Sequence, residues 1–334
     1  MNISKWVLGM ASLLVATSAP ASHTPLNTGF RLHDDVVRDG RADIIFKGGT
    51  ALAYWTIGGS DKLPVITSYY AGDAGPGYTV VAVSDFDGDR SADVLWTNGS
   101  HLKLWVNNGA GGYTSVSVGT YGGGWEPFAA DDINGDGKSD VFFRGSTHLA
   151  YWLMNGPTVI SSSYAGNGGA GWRVVAIDRF RHGITLNVVW TNGSQLKFWN
   201  WSGPSSGFNV EEQFSTIPRY GGGWEPFGSG DINGDGVADL LFRSGTHVAY
   251  WLTLHSISHG YFPSAASYYG GDGGPGFRPV AVSDYDGNGT ADILFDNGSQ
   301  LKTWHYSDAV GFTPRLVGTY GNGWRPLELR ISGN

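Results

Sequence analysis

Beyond residue 28 the chain alternates short apolar segments, four to eight residues long and rich in Val, Ile, Phe and Trp, with turns of Gly, Asn and Asp. Segments such as YTVVAVSD, ADVLW and LKLW are too short for stable helices, and their β-branched and aromatic side chains suit a pleated surface. The pattern predicts strands throughout and an all-β fold.

The strand pattern is itself periodic. Acidic loops begin at Asp35, Asp85, Asp132, Asp231 and Asp284, with Arg179 at the corresponding place in one copy, so successive copies lie 50, 47, 47, 52 and 53 residues apart. Each copy has an aromatic-led segment, an acidic loop, a second segment such as ADVLW or ADILF, a third such as LKLW or LAYWL, and a fourth before a Gly-rich turn. Six units of four short strands predict a six-bladed β-propeller, in which edges are short and protected. Seven blades with one incomplete is the alternative; an open solenoid is another arrangement of the same units. The stretch from Trp324 is an extra first strand, expected to help close the ring against the first copy, where Thr28 replaces the usual Trp. Copies one, three and five carry an Ala-Tyr-Trp third segment ending at Trp55, Trp152 and Trp251, whereas copies two, four and six carry Leu-Lys-x-Trp ending at Trp105, Trp199 and Trp304. The repeating unit is thus a blade pair, and three pairs favour an even blade number.

Composition narrows the function. The 334 residues include 53 Gly, 14 Trp and no Cys, so disulfides, thiolate metal sites and cysteine nucleophiles are excluded. A net charge of −8 with scattered basic residues argues against a phosphate-binding surface, so no nucleic-acid partner is expected. Residues 1–21 carry Lys5, an apolar run from Trp6 to Ala16, and small residues at Ala19 and Ala21, which reads as a secretory signal peptide. The run is about half of the roughly 20 residues a spanning helix needs, so the chain is not expected to span a membrane. Residues 22–334 would then form the propeller, working in an extracellular or periplasmic setting.

The acidic loops carry the most specific chemistry. Four of them place oxygen donors at positions one, three, five and nine, with the backbone carbonyl of position seven as a further donor. The first holds Asp85, Asp87, Asp89, Ser91 and Asp93, and the second Asp132, Asn134, Asp136, Lys138 and Asp140. The third holds Asp231, Asn233, Asp235, Val237 and Asp239, and the fourth Asp284, Asp286, Asn288, Thr290 and Asp292. Converging hard oxygens of this number suit calcium better than magnesium, which asks for stricter octahedral geometry. An EF-hand would need Glu at position twelve, where Trp96, Phe143, Phe242 and Phe295 stand instead. Asp35, Asp39 and Asp43 form a weakened fifth cage with Val37 at position three, and the loop from Arg179 has lost nearly every donor.

These loops, each followed by an apolar strand and then by segments such as LAYWLMNG, resemble the FG-GAP or VCBS repeat family, which includes the integrin α-subunit propeller. The resemblance implies a propeller with mainly structural calcium ions between first and second strands. It leaves activity open, since propellers of that family serve adhesion, carbohydrate binding and polysaccharide-degrading enzymes.

Catalytic motifs are weak. Residues 203–207 match GxSxG but sit in a Gly/Ser/Pro hairpin, and the GxGxxG strings at Gly166 and Gly271 lack a following helix. The surplus of aromatics is more informative. The linkers after even copies place Tyr121, Trp125 and Glu126, Tyr220, Trp224 and Glu225, and Tyr320 and Trp324 beside Gly-rich backbone, the last with Arg325 in place of Glu. A sugar ring can lie on an aromatic face while its hydroxyls bond carboxylate and backbone. A short match in the Gly-Gly-Trp linkers is similar to fungal propeller lectins that bind N-acetylglucosamine between blades. The sequence is read as a calcium-stabilised binding or adhesion propeller whose partner is a glycan or a cell-surface protein. A polysaccharide lyase or hydrolase using the central funnel and a purely structural or protein-binding scaffold are the alternatives.

Overall fold

The computed structural model of the chain describes residues 34–60, 63–109, 112–180, 186–210, 219–253, 266–307, 309–321 and 323–328. The leader expected at residues 1–21 lies outside them. The described residues contain no helix, and hence none long and apolar enough to cross a membrane. They form six four-stranded antiparallel sheets, the blades of a β-propeller, and the seven-bladed alternative is set aside.

Blade 3 shows the pattern from the axis outward: Glu126–Asp131, Asp140–Gly145, His148–Asn155 and Thr158–Asn167. Inner strands such as Thr79–Ser84, Arg173–Asp178, Glu225–Gly230 and Arg278–Ser283 line the central channel. Each of these inner strands carries a register shift near its start, and Pro127, Pro226 and Pro279 sit at three of the shifts. A proline cannot donate to a ladder, so a bulge on an inner edge strand is where it is tolerated. Blade 1 takes its inner strand from the other end of the chain: Arg325 and Pro326 pair with Lys47 and Phe46, and Leu327 N–H donates to Ile45 O at 2.7 Å. The expected closing strand is therefore the innermost strand of the first blade.

Alternating side chains along each second and third strand face opposite neighbours, so the apolar core divides into six clusters, one between each adjacent pair of blades. At the acidic-loop end the blades are also joined by backbone. The N–H of the eighth loop residue donates to the carbonyl of the first loop residue one blade back: Ala92 to Asp35 at 2.9 Å, Ser139 to Asp85 at 2.8 Å, Ala238 to Arg179 at 2.9 Å, Ala291 to Asp231 at 2.7 Å and Ala42 to Asp284 at 2.8 Å. Between blades 3 and 4 the Arg179 guanidinium makes the corresponding bond, Nη2 to Asp132 O at 2.8 Å. The loop ring is thereby closed.

The ninth loop residue holds each loop to its own blade. Asp140 is fully buried and accepts the N–H of Ile133 at 2.9 Å and of Met154 at 2.7 Å. Asp239 does the same for Ile232 and Thr253, and Asp93 for Phe86 and Asn107. In the fourth copy, Asn187 Oδ1 takes the N–H of Phe180 at 2.9 Å, so an amide oxygen is sufficient there. In chelator, Asp140→Ala, which strands two buried donors, should lower stability by about 2–4 kcal/mol in urea unfolding. Asp140→Asn should cost under about 1 kcal/mol in the same assay; equal losses for the two variants would contradict this account.

Candidate functional site

The two kinds of blade interface are finished differently. Where an odd blade meets the following even blade, a lysine of the even blade's third strand closes the gap. Lys103 bonds Ala74 O with its ammonium 3.8 Å from the Tyr78 ring centre; Lys197 bonds Gly168 O at 4.2 Å from Trp172; Lys302 bonds Gly273 O at 4.1 Å from Phe277. Burial lowers the pKa of all three lysines. At the corresponding position the odd blades carry Ala53, Ala150 and Ala249. At two of the interfaces between an even and the following odd blade an arginine reaches across near the inner strands, Arg173 to Glu225 and Arg278 to Glu328, while the interface between blades 2 and 3 stays open.

Between blades 2 and 3 the opening is a cavity of about 310 Å³. Ala150 and Phe143 line it together with Tyr121, Trp125, Trp152 and Tyr164. Trp125 lies against bare backbone, since a Cβ added at Gly145 would come within 3.1 Å of its ring. Gly48 stands in the same relation to Trp324, also at 3.1 Å. Tyr164 is 58% exposed, and the outer strands of the other odd blades present Tyr70 and Tyr269 at 55% and 62%. The His148 ring Nδ1 is 2.7 Å from Tyr164 OH, and His247 Nδ1 is 2.7 Å from Tyr269 OH. The clusters at the other even-to-odd interfaces repeat the set, with Tyr220, Trp224 and Trp251 in one and Tyr320, Trp324 and Trp55 in the other.

The sequence-predicted aromatics are thus brought together, but their polar companions are engaged elsewhere. The phenols of Tyr121 and Tyr220 bond Thr97 and Thr191, and Tyr320 OH donates to Asp296 Oδ1 at 2.7 Å. Glu126 opens the inner strand and pairs with Arg144 at 3.0 Å, while Glu225 pairs with Arg173 at 2.9 Å and lies 3.7 Å from Arg243. Neither Glu126 nor Arg144 lines the cavity. Ala150, Trp152 and Tyr164 join the site in the structure alone; the Lys-to-Ala alternation marks only the Ala150 position, and its meaning emerges once the lysines are seen to bridge a gap.

The acidic loops lie at the opposite end of the blades. In each the first Asp accepts several N–H groups of its own loop, as Asp132 does from Gly135, Asp136 and Gly137 at 2.7, 3.1 and 2.9 Å. Side chains at positions three and five each accept the N–H two residues on: Asp87 and Asp89, Asn134 and Asp136, Asn233 and Asp235, and Asp286 and Asn288. Each of these contacts is an Asx turn. Asp85, Asp87 and Asp89 bring carboxylate oxygens within 4.8 Å of one another. Arg38 of the preceding loop pairs with Asp89 and also bonds Ser91. Asn134 and Asn233 donate to Asp136 and Asp235 at 3.1 Å, so these loops carry fewer carboxylates. Lys138 reaches Asn155 with its side chain, and the Val237 side chain is buried, which leaves only backbone carbonyls at position seven in these copies. Asp35 organises the first loop alike, accepting from Asp39 and Gly40.

The central channel contains a cavity of about 170 Å³ lined mainly by inner-strand residues such as Val81, Ala130, Ile177 and Val280. Arg179 lies at its acidic-loop mouth, 3.4 Å from Asp131. Residues 203–207 form a hairpin turn that leads directly into the strand Phe208–Val210, so they are not a nucleophile elbow.

No protein-family model matches the sequence, and no curated protein matches it. Among solved structures, a lectin of Agrocybe aegerita that recognises non-reducing terminal N-acetylglucosamine is similar in fold, with a TM-score of 0.58 and 17% identity over 85% of this chain and 78% of the lectin. A nidogen/laminin complex gives 0.51 and 11% identity over 83% and 92%. A Lactobacillus plantarum protein gives 0.51 and 10% over 83% and 82%. At these identities the likeness is one of fold.

Burial pushes the carboxyl groups of Asp93, Asp140, Asp239 and Asp284 up to about 7 in the absence of a cation, and that of Asp43 up to about 9. Between the ordinary carboxylate range near 4 and about 7, the folded chain keeps protons that the unfolded chain has released. Stability in chelator should therefore fall as pH rises through that window. The urea midpoint is expected to be lower at pH 7.5 than at pH 5, and a higher one at pH 7.5 would count against the buried, unneutralised carboxylates.

Proposed function

We propose that the chain is a secreted, calcium-stabilised propeller that binds carbohydrate at three equivalent interfaces. The observation that carries this reading is the alternation of lysine and alanine at one register: lysines fill three interfaces, and at the other three the alanines stand beside half-buried tryptophans and exposed tyrosines, with an open cavity between blades 2 and 3. An aromatic floor of this kind takes the C–H face of a sugar, while Ser162, Ser163 and the exposed Tyr164 supply hydroxyls at the cavity between blades 2 and 3. The fold-level likeness to a lectin supports the same reading, and a terminal N-acetylhexosamine is the first ligand to try.

Calcium is assigned to the loops headed by Asp85, Asp132 and Asp231. The converging carboxylates of Asp85, Asp87 and Asp89 are the best fit among them. Bound calcium would neutralise carboxylates whose burial is otherwise costly and would tighten the loop ring.

Two outcomes are expected. On a glycan array the protein should show saturable binding with three sites per chain. Ala150→Lys, which copies the lysine plug, should reduce the count to two; adding Ala53→Lys and Ala249→Lys should abolish binding with circular dichroism unchanged. Absence of saturable saccharide binding by the parent protein would overturn the lectin reading. Separately, calcium at about one hundred times its dissociation constant should stabilise the fold by about 2.7 kcal/mol per site, so a melting temperature indifferent to chelator would remove calcium from the account.

A further inference from the structure

We propose that blade 6 holds a first-row transition-metal ion, zinc being the best fit, between Asp286, Asp292 and His305. The three residues offer ligand atoms that lie within 4.8 Å of one another. His305 Nδ1 stands 3.1 Å from Asp286 Oδ2 and 2.9 Å from Asp292 Oδ2. Ligand atoms about 2.0–2.1 Å from a tetrahedral zinc ion stand about 3.3 Å apart, so a small contraction or expansion of this triangle accommodates the ion.

The second observation is the state of the buried atoms. His305 is only 6% exposed and Asp292 is fully buried, yet neither His305 Nδ1 nor Asp292 Oδ1 makes an aligned hydrogen bond. The other ring nitrogen, Nε2, is 2.7 Å from Oγ1 of buried Thr303. With Nε2–H donating to Thr303, a deprotonated Nδ1 would offer its lone pair to an ion between the two carboxylates, in place of the proton that otherwise pairs it with them. A metal-bound histidine is held in its tautomer in this way, by an acceptor on the far nitrogen.

The site belongs to this blade alone among the four well-formed acidic loops. Position nine in the loops of blades 2, 3 and 5 accepts an N–H from the third strand, from Asn107, Met154 and Thr253 respectively. In blade 6 the corresponding carboxylate faces an imidazole. Val106 occupies the place of His305 in blade 2, so the fold does not require a histidine there. An imidazole nitrogen shifts the preference of an oxygen site from calcium toward zinc and its neighbours. Arg315 Nη1 lies 3.7 Å from Asp286 Oδ2 on the outer side, and Asp284 heads the same loop, so carboxylates still outnumber the fixed positive charge. The inference is independent of saccharide binding and takes the sixth loop out of the calcium set.

The test uses the full chain, freed of metal by chelator and titrated with cobalt(II) as a spectroscopic probe and then with zinc. One equivalent of cobalt should give a visible ligand-field band that zinc displaces and excess calcium does not. His305→Val should lose the band and weaken zinc binding at least about tenfold, with Asp286→Asn as a second variant should the first not fold. No band in the parent protein, or zinc affinity unchanged in these variants, would overturn the proposal and leave His305 as an imidazolium clasped by two carboxylates. Loss of calcium binding in the other loops would not alter the cobalt result, so the two readings fail separately.

Discussion

The ring of loop-to-loop hydrogen bonds is the constraint from which the rest of the molecule follows. Each acidic loop must present the carbonyl of its first residue to the next blade and the N–H of its eighth residue to the previous one. Both are backbone groups, so only the loop's shape has to be kept, and the side chains at positions one and nine keep it by accepting backbone N–H groups. In the fourth copy the described ends of the loop make the same attachments without its carboxylates. Asn187 replaces the ninth Asp as acceptor, and the Arg179 guanidinium supplies the inter-blade bond. The fourth copy thus keeps the inter-blade bond and the ninth-position acceptor without the carboxylates.

A ring with one kind of interface would present six equal grooves. Here a single side-chain position, lysine in one kind of interface and alanine in the other, sets the two kinds apart without altering the strands. Lysine at that position spans the groove to a linker carbonyl and lies over a linker aromatic, removing the space a ligand would need. Alanine at the same register leaves the tryptophan of its own strand half-buried. The saccharide sites proposed for the open grooves lie at the opposite end of the blades from the acidic loops, so metal and sugar would act on different faces.

Much of the fold was legible because it is repeated. Short apolar runs, turn residues and the six-fold period together define strands, blades and their number, and the extra strand after Trp324 announces how the ring closes. The site was legible only in part. Tyr121 and Trp125 stand out as aromatics beside glycine, but Ala150 draws no attention until its lysine counterparts are seen bridging a gap, and Tyr164 lies on an outer strand about forty residues from Trp125. Glu126 looks like a ligand in sequence because it follows Trp125, yet its strand turns it toward Arg144. His305 was invisible for another reason: it is a single departure from the repeat, and nothing in the spacing shows that the third strand returns it to the loop holding Asp286 and Asp292.

The closure of blade 1 has a consequence for how the molecule is made. Arg325 and Pro326 must find Lys47 and Phe46, partners separated by most of the chain, before the first sheet has all four strands. Contacts so distant in sequence form late, because the loop between them must be ordered or confined first. Blades 2 to 6 are built from contiguous segments and can each assemble as they emerge, leaving the first blade as a three-stranded edge awaiting its partner. The ring is therefore a clasp fastened last, and the exposed edge of Ile44–Gly48 is the surface most open to mispairing until then.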